Sequence, residues 1–534
     1  MKNYIYPAKI AGIIFFISMV FLAQIKAQKA HSDNGDGTYT NPVIAADFPD
    51  PDVILVGDTY YMVTTTMFIF PGVPILKSHD LVNWAYCSNA VPRFDFSPCY
   101  DLDGCSRYGH GQWATSLKYN NGKFYLLFIT LNEGGFICSS TKPEGPWEVK
   151  KLPKGFYDPG LFFDDDGKIY VAHGYSTIHM TELDSNFAPL TKDSLIYTGD
   201  IRHGLEGTHV YKINGYYYLY GTYGGLDGIQ VALRSKNIYG PYEQKVVIRD
   251  TVHGPTFGIH QGALIKTQTG EWWTMLFVDS GPFGRFPSLQ PVTWVDGWPM
   301  VGVDGRGVMT YRKPDVGKQY PVSDLPTSDE FSEKVLGMQW GWNHNPDRKK
   351  WSLTENPGYL RLYTAKVTDS LQKARNTLTQ RMFAYYSDKL ATVGSTKMDI
   401  THMKDGDVAG LAVFQNPYAW VGVKKMGGKS YVFMVNNGKT IDSTAIKGSI
   451  VYLRVRAIYG SGAAHYYDGK GAPGTGTAAF SYSGDNKSFT NIGAIFNMRF
   501  SLRVFTGNKF CLFNYATESL GGYTDFDWFR MKAE

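Results

Sequence analysis

Three acidic residues that lie far apart in the sequence share one local setting. Asp50 stands in Phe-Pro-Asp-Pro-Asp, Asp158 in Phe-Tyr-Asp-Pro-Gly and Glu206 in Leu-Glu-Gly-Thr-His. Each precedes, by a few residues, a glycine-centred turn that leads into an aromatic strand. Carboxylates brought together by such a shared position repel one another and raise one another's pKa. A cluster of that kind is costly for a fold unless it is used, so the pattern predicts an active site.

The turns that follow these acids belong to a repeat. A polar residue and a glycine followed by aromatic residues occur at five places that lie 45 to 65 residues apart, at Gly57, Gly122, Gly167, Gly215 and Gly270. Propeller blades run about 40–50 residues and contain four strands each. The five hairpins therefore predict a five-bladed β-propeller.

Inner strands of a propeller line its central channel, so equivalent positions form a ring at one mouth. Seven to ten residues before the five glycines are Asp50, Trp113, Asp158, Glu206 and His260. Three acids, a flat aromatic ring and an imidazole make a poor structural plug and favour a functional site. The alternative is that Asp50 and Asp158 only begin strands, since Asp-Pro pairs favour turns, and that Glu206 is a loop carboxylate.

Length and composition indicate a second domain of the same class. Hydrophobic cores stop growing near about 250–300 residues, and this chain has 534. Aromatic residues make up 15% and charged residues only 19%, which is typical of turn-rich β-structure. Beyond a proline-bearing linker, period-two alternation without a helical stripe predicts a β-sandwich. The fold class is therefore all-β, with a propeller over residues 28–320 and a sandwich over residues 321–534.

Residues 1–27 have the pattern of a secretory signal peptide. Lys2 and Lys9 precede a short apolar run, and Ala27 offers a cleavage site before Gln28. A membrane anchor is the weaker alternative because a spanning helix needs roughly 20 apolar residues. The expected location is periplasmic or extracellular, with no membrane association after cleavage. The net charge of +5 comes without a basic run or a nucleic-acid module, so no nucleic-acid partner is expected; the oligomeric state is left open.

The five cysteines fit an exported protein. Cys99 and Cys105 share a polar loop, residues 95–110, and can close a small disulfide. Cys87, Cys138 and Cys511 lie in apolar, strand-like surroundings and are expected to be buried thiols. None of the five has the spacing of a metal site.

The chain resembles glycoside hydrolase family 43, whose members are five-bladed propeller enzymes. The matching stretches, in the family's order, are Asn41-Pro42-Val43-Ile44, Phe48-Pro49-Asp50-Pro51, Phe70-Pro71-Gly72-Val73, Trp113-Ala114, Asp158-Pro159, Glu206-Gly207, His260, Gly284-Arg285 and Asp296-Gly297-Trp298-Pro299. Two-domain members carry a C-terminal β-sandwich of the jelly-roll, concanavalin A-like type. Three stretches of this chain resemble it: Asp329-Glu330-Phe331, Phe505-Thr506-Gly507 and Asp525-Phe526-Asp527-Trp528-Phe529.

The resemblance implies a role for each of the three acids. Asp50 matches the general base that activates water, and Glu206 matches the general acid that protonates the leaving oxygen. Asp158 matches a third carboxylate that raises the pKa of the acid and helps to orient it and the sugar. The family inverts the anomeric centre, and an inverting site separates acid and base by about 6.5–9.5 Å to make room for water. No cofactor is required by this chemistry.

Further site residues follow from the same resemblance. Trp113 matches the aromatic wall of the terminal sugar subsite, and Arg285 matches an arginine that reaches sugar hydroxyls or the catalytic carboxylates. Phe70 belongs to a loop that closes the pocket in exo-acting relatives, and Met67 stands where related β-xylosidases often carry an aromatic residue. His260 matches a histidine that contacts calcium or water in many members. A structural calcium near His260 and a satisfied core histidine are the two alternatives.

The implied activity is that of an exo-acting inverting glycosidase. Its partner is an oligo- or polysaccharide, from which it releases terminal β-D-xylosyl or α-L-arabinofuranosyl groups of plant xylan or arabinoxylan. The pentose stays open because the two sugars present similar hydroxyl patterns. The alternatives are an endo-arabinanase, which needs an open groove, and a non-catalytic carbohydrate-binding propeller, which three intact acids disfavour. The sandwich either packs on the propeller and lines the pocket or binds glycan independently.

Overall fold

A computed structural model describes residues 32–200, 204–224, 228–250, 258–384, 391–459, 476–501 and 503–534. The signal peptide expected over residues 1–27 lies outside these ranges. The helices within them are short 3-10 turns, Pro98–Asp101, Gly281–Phe283 and Leu371–Lys373. Accordingly, no helix in the described ranges has the length and apolar character needed to cross a membrane.

The first part of the chain forms five antiparallel sheets of four strands each. Blade by blade, the strands are Asp52–Val56, Thr59–Val63, Gly72–Ser78 and Trp84–Val91; Thr115–Asn120, Lys123–Thr130, Gly134–Ser140 and Glu148–Lys151; Gly160–Phe163, Ile169–His173, Thr177–Leu183 and Ser194–Thr198; Leu205–Ile213, Tyr216–Tyr223, Ile229–Ser235 and Glu243–Ile248; Ile259–Lys266, Trp272–Asp279, Arg285–Val295 and Trp298–Val301. The first strands of successive blades contact one another, and the fifth contacts the first. This closed ring confirms the predicted five-bladed propeller.

The predicted glycine turns join the first and second strands of the blades. Asn121 and Gly122 have φ angles of 47° and 79°, and Asn214 and Gly215 have 51° and 75°. Two successive residues with positive φ are the signature of a type I′ turn, whose twist matches that of the strands it joins. The Asn-Gly pairs in the sequence therefore form the turns of two of the five hairpins.

The two ends of the propeller are held together. Thr38–Thr40 pairs antiparallel with Thr310–Arg312. The side-chain amide of Asn41 donates hydrogen bonds to the carbonyl oxygens of Leu289 and Val308, both at 2.8 Å. The first and last segments of the propeller are thereby joined beside the fifth blade.

The second part of the chain is a sandwich of two eight-stranded sheets, as predicted. The first sheet contains, in spatial order, Lys439–Ile446, Lys429–Asn436, Ala419–Met426, Asp407–Phe414, Lys509–Ala516, Leu378–Arg381, Trp340–Asn343 and Ile69–Phe70. The second contains Trp351–Ser352, Leu360–Tyr363, Tyr523–Ala533, Ala391–Asp399, Ile450–Tyr459, Gly476–Ser483 and Thr490–Asn491, with Phe496–Met498 paired to Gly476–Ser483.

One strand of the first sandwich sheet comes from the propeller. Ile69–Phe70 pairs antiparallel with Trp340–Asn343, so that Phe70 lies opposite Trp342. The ring of Phe70 packs against Phe94 and Tyr100, with ring centroids 5.8 Å and 5.6 Å away. The two domains therefore share a sheet, and one hydrophobic core contains residues of both, among them Phe48 and Trp340. They are not tethered by the linker alone.

A second connection runs through the loop 95–110. Cys99 and Cys105 form a disulfide within it, and Cys87, Cys138 and Cys511 are buried free thiols. The Tyr108 hydroxyl donates a hydrogen bond to the Gln372 carbonyl at 2.6 Å. The disulfide-closed loop thus lies against the sandwich.

Candidate active site

The five residues expected at the channel mouth all lie at the starts of inner strands. Asp50, Trp113 and Asp158 each precede their inner strand by two residues. Glu206 and His260 are the second residues of theirs. The repeat in the sequence therefore corresponds to equivalent positions in the fold.

The backbone at these positions departs from regular strand geometry. Asp50 and Asp158 have φ angles of 54° and 46°, a left-handed conformation that is uncommon for residues other than glycine. Strand register shifts between Glu206 and His209, and again between His260 and Gly262. Left-handed residues and bulges re-aim side chains out of simple alternation. The local geometry therefore sets the direction of all three acidic side chains.

Asp50 is held by a hydrogen bond on each carboxylate oxygen. Arg285 donates through Nη1 to Oδ1 at 3.0 Å, and the Thr65 hydroxyl donates to Oδ2 at 2.5 Å. Arg285 also donates through Nε to Oδ1 of Asp279 at 3.2 Å, which fixes the guanidinium. Asp50 is thus a buried carboxylate in one fixed orientation, as a base that activates a single water requires.

Asp158 and Glu206 interact electrostatically with each other and with Asp50. Burial, followed by the charges of Glu206 and Asp50, raises the pKa of Asp158 well above its usual value. Burial, followed by the charge of Asp50, raises the pKa of Glu206 to about 7, although Tyr157 and Arg285 act to lower it. Since repulsion between the two acids is mutual, the pair retains a proton near neutral pH. A carboxyl group that stays protonated there can act as a general acid.

Tyr157 is a site residue that the sequence patterns do not single out. Its hydroxyl donates a hydrogen bond to Oε2 of Glu206 at 3.0 Å. Its ring lies 6.0 Å from that of Trp113 and 6.2 Å from that of Tyr175. Tyr157 therefore fixes the orientation of Glu206 from the neighbouring blade.

The sandwich contributes an aromatic side chain to the site. The ring of Phe505 lies 5.0 Å from the ring of Trp113, with an interplanar angle of 32°. The Arg285 guanidinium lies over the same ring, 4.9 Å from its centroid. Phe505 was recognised in the sequence only as part of a sandwich motif, and no local signal indicates that it reaches the propeller. Its position means that the sandwich lines the site.

Met67 and Phe70 were expected among the substrate-binding residues, but both side chains are buried away from the site surface. Met67 is 1% exposed and Phe70 has no exposed surface. The backbone of Met67 exchanges hydrogen bonds with Gln112, at 3.0 Å and 2.9 Å. Phe70 is covered because its strand is paired to the sandwich at Trp342. The loop that closes a pocket in the resembled family here serves to dock the second domain.

His260 is buried at 2% exposure and contacts Asp279, with Nε2 3.4 Å from Oδ2. Its Nδ1 has no hydrogen-bond partner among the described residues. Calcium takes six to eight oxygen ligands, whereas in the described ranges no group of three or more His, Cys, Asp or Glu side chains is arranged so that it could hold a metal ion. Asp279 is moreover already paired with Arg285. The residues around His260 therefore do not fit a calcium cage.

Comparison with known proteins gives matches to both domains. Residues 39–299 match the model described as glycosyl hydrolases family 43, and residues 328–532 match a beta-xylosidase C-terminal concanavalin A-like domain. A beta-xylosidase from Formosa agariphila is 34% identical over 93% of this chain and 90% of its own length. A non-reducing end alpha-L-arabinofuranosidase from Bacteroides ovatus is 32% identical over 70% of this chain and 73% of its own length.

A similar solved structure comes from Bacteroides eggerthii and is described as a bifunctional GH43-CE protein. It superposes with a TM-score of 0.81 at 37% identity and covers 92% of this chain. The present chain spans only 63% of that longer protein. The likeness therefore extends over both domains described above and leaves a further part of the longer protein without a counterpart.

Proposed function

The chain belongs to glycoside hydrolase family 43, and from this we propose that it is an exo-acting, inverting glycosidase that releases terminal pentoses from xylan or arabinoxylan fragments. The observation that carries the proposal is the set of three carboxyl groups at one channel mouth, with Arg285 bound to Asp50. Relatives named as a beta-xylosidase and an alpha-L-arabinofuranosidase support a pentose in the terminal subsite.

In the proposed reaction a water molecule attacks the anomeric carbon while the bond to the leaving oxygen breaks. Asp50 takes a proton from this water, and Glu206 gives its proton to the leaving oxygen. Asp158, beside Glu206, favours the protonated form of the acid before the step because two neighbouring anions repel. The attack and the departure occur on opposite faces of the sugar, so the anomeric configuration is inverted. Exchange with solvent then restores both protonation states.

The wall of the site supports exo action. Trp113 from the propeller and Phe505 from the sandwich are in contact beside the carboxyl groups. A wall built from both domains restricts one side of the site, whereas an endo-arabinanase needs a groove open at both ends. An endo-acting enzyme would release internal fragments from debranched arabinan, and a binding protein would release nothing. The products released therefore distinguish an exo-acting pentosidase from an endo-arabinanase and from a carbohydrate-binding protein.

The first experiment is hydrolysis of an aryl β-D-xyloside and an aryl α-L-arabinofuranoside, followed by NMR. We expect release of at least one pentose, with the inverted anomer appearing first. Release of neither pentose refutes the exo-pentosidase assignment, and early appearance of the retained anomer refutes the roles of the carboxyl groups. The ratio of kcat/KM for the two substrates then identifies the preferred pentose.

The second experiment uses Glu206→Gln with two leaving groups. With a natural xylo-oligosaccharide, turnover should fall by roughly 10²–10⁴, the usual contribution of general acid catalysis. With an activated aryl leaving group, which needs little protonation, the loss should be much smaller. Glu182→Gln removes a partly buried acid whose partner is Lys168, at 3.5 Å, and should leave both rates unchanged. Equal losses for both leaving groups contradict the acid assignment.

We also propose that residues 1–27 direct export and are removed. The support is the sequence pattern of two lysines, a short apolar run and Ala27 before Gln28. Mass spectrometry of the protein secreted or exported by the expressing cell should give a mature chain that begins at Gln28. Retention of the intact N-terminus in the exported fraction contradicts cleavage.

A further inference from the structure

A buried ion pair crosses the domain interface behind the wall of the site. Asp47 lies three residues before Asp50 on the propeller and is 3% exposed, and Lys509 lies four residues after Phe505 on the sandwich and is 5% exposed. Lys509 Nζ is 2.9 Å from Asp47 Oδ2. Burying two charges carries a large desolvation cost, and the two domains also share an extensive apolar core. Docking alone therefore does not account for this pair.

The Asp47 carboxylate also binds the backbone of two site segments. Its Oδ1 accepts a hydrogen bond from the Arg285 N–H at 3.1 Å, and its Oδ2 accepts one from the Gly507 N–H at 2.9 Å. Arg285 is the residue that binds Asp50, and Gly507 follows the wall residue Phe505 by two positions. One carboxylate thus joins the guanidinium segment of the propeller to the Phe505 loop of the sandwich.

The contact is built for close approach of the two backbones. A Cβ atom on Gly284 would lie 2.1 Å from Asp47 Oδ1, and one on Gly507 would lie 2.3 Å from the carbonyl oxygen of Phe283. Gly284 also has a φ of 100°, which other residues rarely adopt. There is therefore no room for a side chain at position 284 or at position 507, the two glycines beside the Asp47 carboxylate.

The pKa of Asp47 favours its charged form, whereas burial lowers the pKa of Lys509 and the charge of Asp47 opposes that shift. Although burial opposes it, Lys509 together with the N–H groups of Arg285 and Gly507 keeps the pKa of Asp47 below its usual value. Arg381 of the sandwich donates through Nε to the Asp47 carbonyl oxygen at 2.7 Å. Lys509 and Arg381 of the sandwich thus both bind Asp47, the propeller residue that also accepts a hydrogen bond from the Arg285 N–H.

We propose that Asp47 and Lys509 are positioning residues for the pentose subsite, setting Phe505 and Arg285 relative to the catalytic carboxyl groups. The inference rests on the proposed function for the identity of the sugar. In this proposal the sandwich is a structural part of the subsite, because the Phe505 loop is bound to the propeller at Asp47. Neither residue touches the sugar; both act through Arg285 and Phe505.

The test compares Asp47→Asn with the double variant Asp47→Asn/Lys509→Met. The single variant leaves a buried lysine without its counter-charge and is expected to lose stability. The double variant removes both charges at similar volume, which is often neutral for stability. The amide introduced at position 47 nevertheless has only one accepting oxygen, so it cannot accept from the N–H groups of Arg285 and Gly507 as the two carboxylate oxygens do. We expect the double variant to fold and to show kcat/KM lowered roughly 10- to 100-fold, mostly through KM.

A matched control comes from the sandwich. Asp525 is buried and paired with Arg361 at 2.8 Å, and both residues lie on strands of the second sandwich sheet. Asp525→Asn makes the same chemical change at a buried ion pair and should lower stability without changing the KM of the folded enzyme. A double variant at positions 47 and 509 with wild-type KM shows that the pair only stabilises the interface and overturns the proposal.

Hydrogen exchange supplies a readout that does not depend on turnover. In the double variant, exchange should increase in the peptides that contain the Arg285 and Gly507 amides, and it should stay unchanged in the core strand Asp407–Phe414. Unchanged exchange at Arg285 and Gly507 overturns the proposal. If the wild-type enzyme releases no pentose, the proposed function fails separately, because the exchange measurement still reports whether Asp47 anchors both segments.

Discussion

Tyr157 offers a direct test of how the site sets the proton affinity of Glu206. Tyr157→Phe removes the hydroxyl that donates to Glu206 Oε2 at 3.0 Å and keeps the ring that packs between Trp113 and Tyr175. A hydrogen bond donated to a carboxylate favours its ionised form and so lowers its pKa. Loss of the bond therefore raises the pKa of Glu206, and the acid stays protonated to higher pH.

The magnitude follows from the strength of such bonds. A hydrogen bond to a charged group contributes about 1.5–3 kcal/mol, of which the protonated acid keeps a part because it still accepts weakly. A remaining difference of about 1.4 kcal/mol corresponds to one pH unit. Burial and Asp50 place the pKa of Glu206 at about 7 in the wild type. The basic limb of the activity profile should therefore move upward by about one pH unit.

The assay is kcat/KM for a natural xylo-oligosaccharide, whose leaving oxygen needs the proton of the acid, measured between about pH 4 and pH 10. The basic limb reports the proton of the pair that contains Glu206. Tyr242→Phe is the control, since its buried hydroxyl donates to the Ile238 carbonyl at 2.8 Å and to no carboxyl group among the described residues. A basic limb that stays in place or moves downward in Tyr157→Phe refutes the reasoning. An equal upward shift in the control shows that the effect does not come from the Glu206 bond.

Two further changes test the wall and the loop that lies against the sandwich. Phe505→Ala should raise KM for aryl pentosides about tenfold, the equivalent of about 1.4 kcal/mol of lost apolar contact, without moving the pH profile. The control is Phe489→Ala, which removes a phenylalanine that is likewise stacked under an arginine, Arg454 at 3.7 Å. This control should leave KM unchanged. Cys99→Ser/Cys105→Ser opens a loop with a sequence separation of 6 and should lower the free energy of unfolding by about 2 kcal/mol. An unchanged denaturation midpoint contradicts this, and wild-type enzyme treated with a reductant should behave like the double variant.

The sequence predicted those features whose signal is local and repeated. Each hairpin is marked by a glycine turn, and Asp50, Asp158 and Glu206 stand at a nearly constant distance before those turns. A propeller converts that constant distance into one location because its inner strands are arranged around a single axis. The ring of acids was therefore accessible without any knowledge of contacts between distant segments.

Residues whose role depends on the second domain were not accessible in this way. Phe505 contacts Trp113 although the two residues are almost four hundred positions apart in the sequence, and no pattern in either segment predicts that contact. The prediction for Phe70 was wrong for a related reason: its segment reads as a rim loop, but it becomes the edge strand of the sandwich sheet. Pairing and burial between domains override the local reading.

Tyr157 was missed because no repeated pattern in the sequence marks it. Neighbouring residues of a strand point to opposite faces, but Tyr157 and Asp158 precede the strand Gly160–Phe163, so that simple alternation does not give the direction of Tyr157. Asp158 instead has a φ of 46°, which breaks the alternation and lets the Tyr157 hydroxyl reach Glu206 on the next blade. The same backbone feature that directs the carboxylate thus brings its neighbour into the site.

The separate roles of the two domains have a consequence for selectivity. In the proposed mechanism, the proton chemistry depends on Asp50, Asp158 and Glu206, which three blades of the propeller carry. The sugar wall depends on Phe505, whose loop is anchored to Asp47 of the propeller. In the proposed mechanism, substitutions in the Phe505 loop should therefore change which pentose fits mainly through KM, and they should shift the pKa of Glu206 only where they also displace Arg285, which stacks on Phe505.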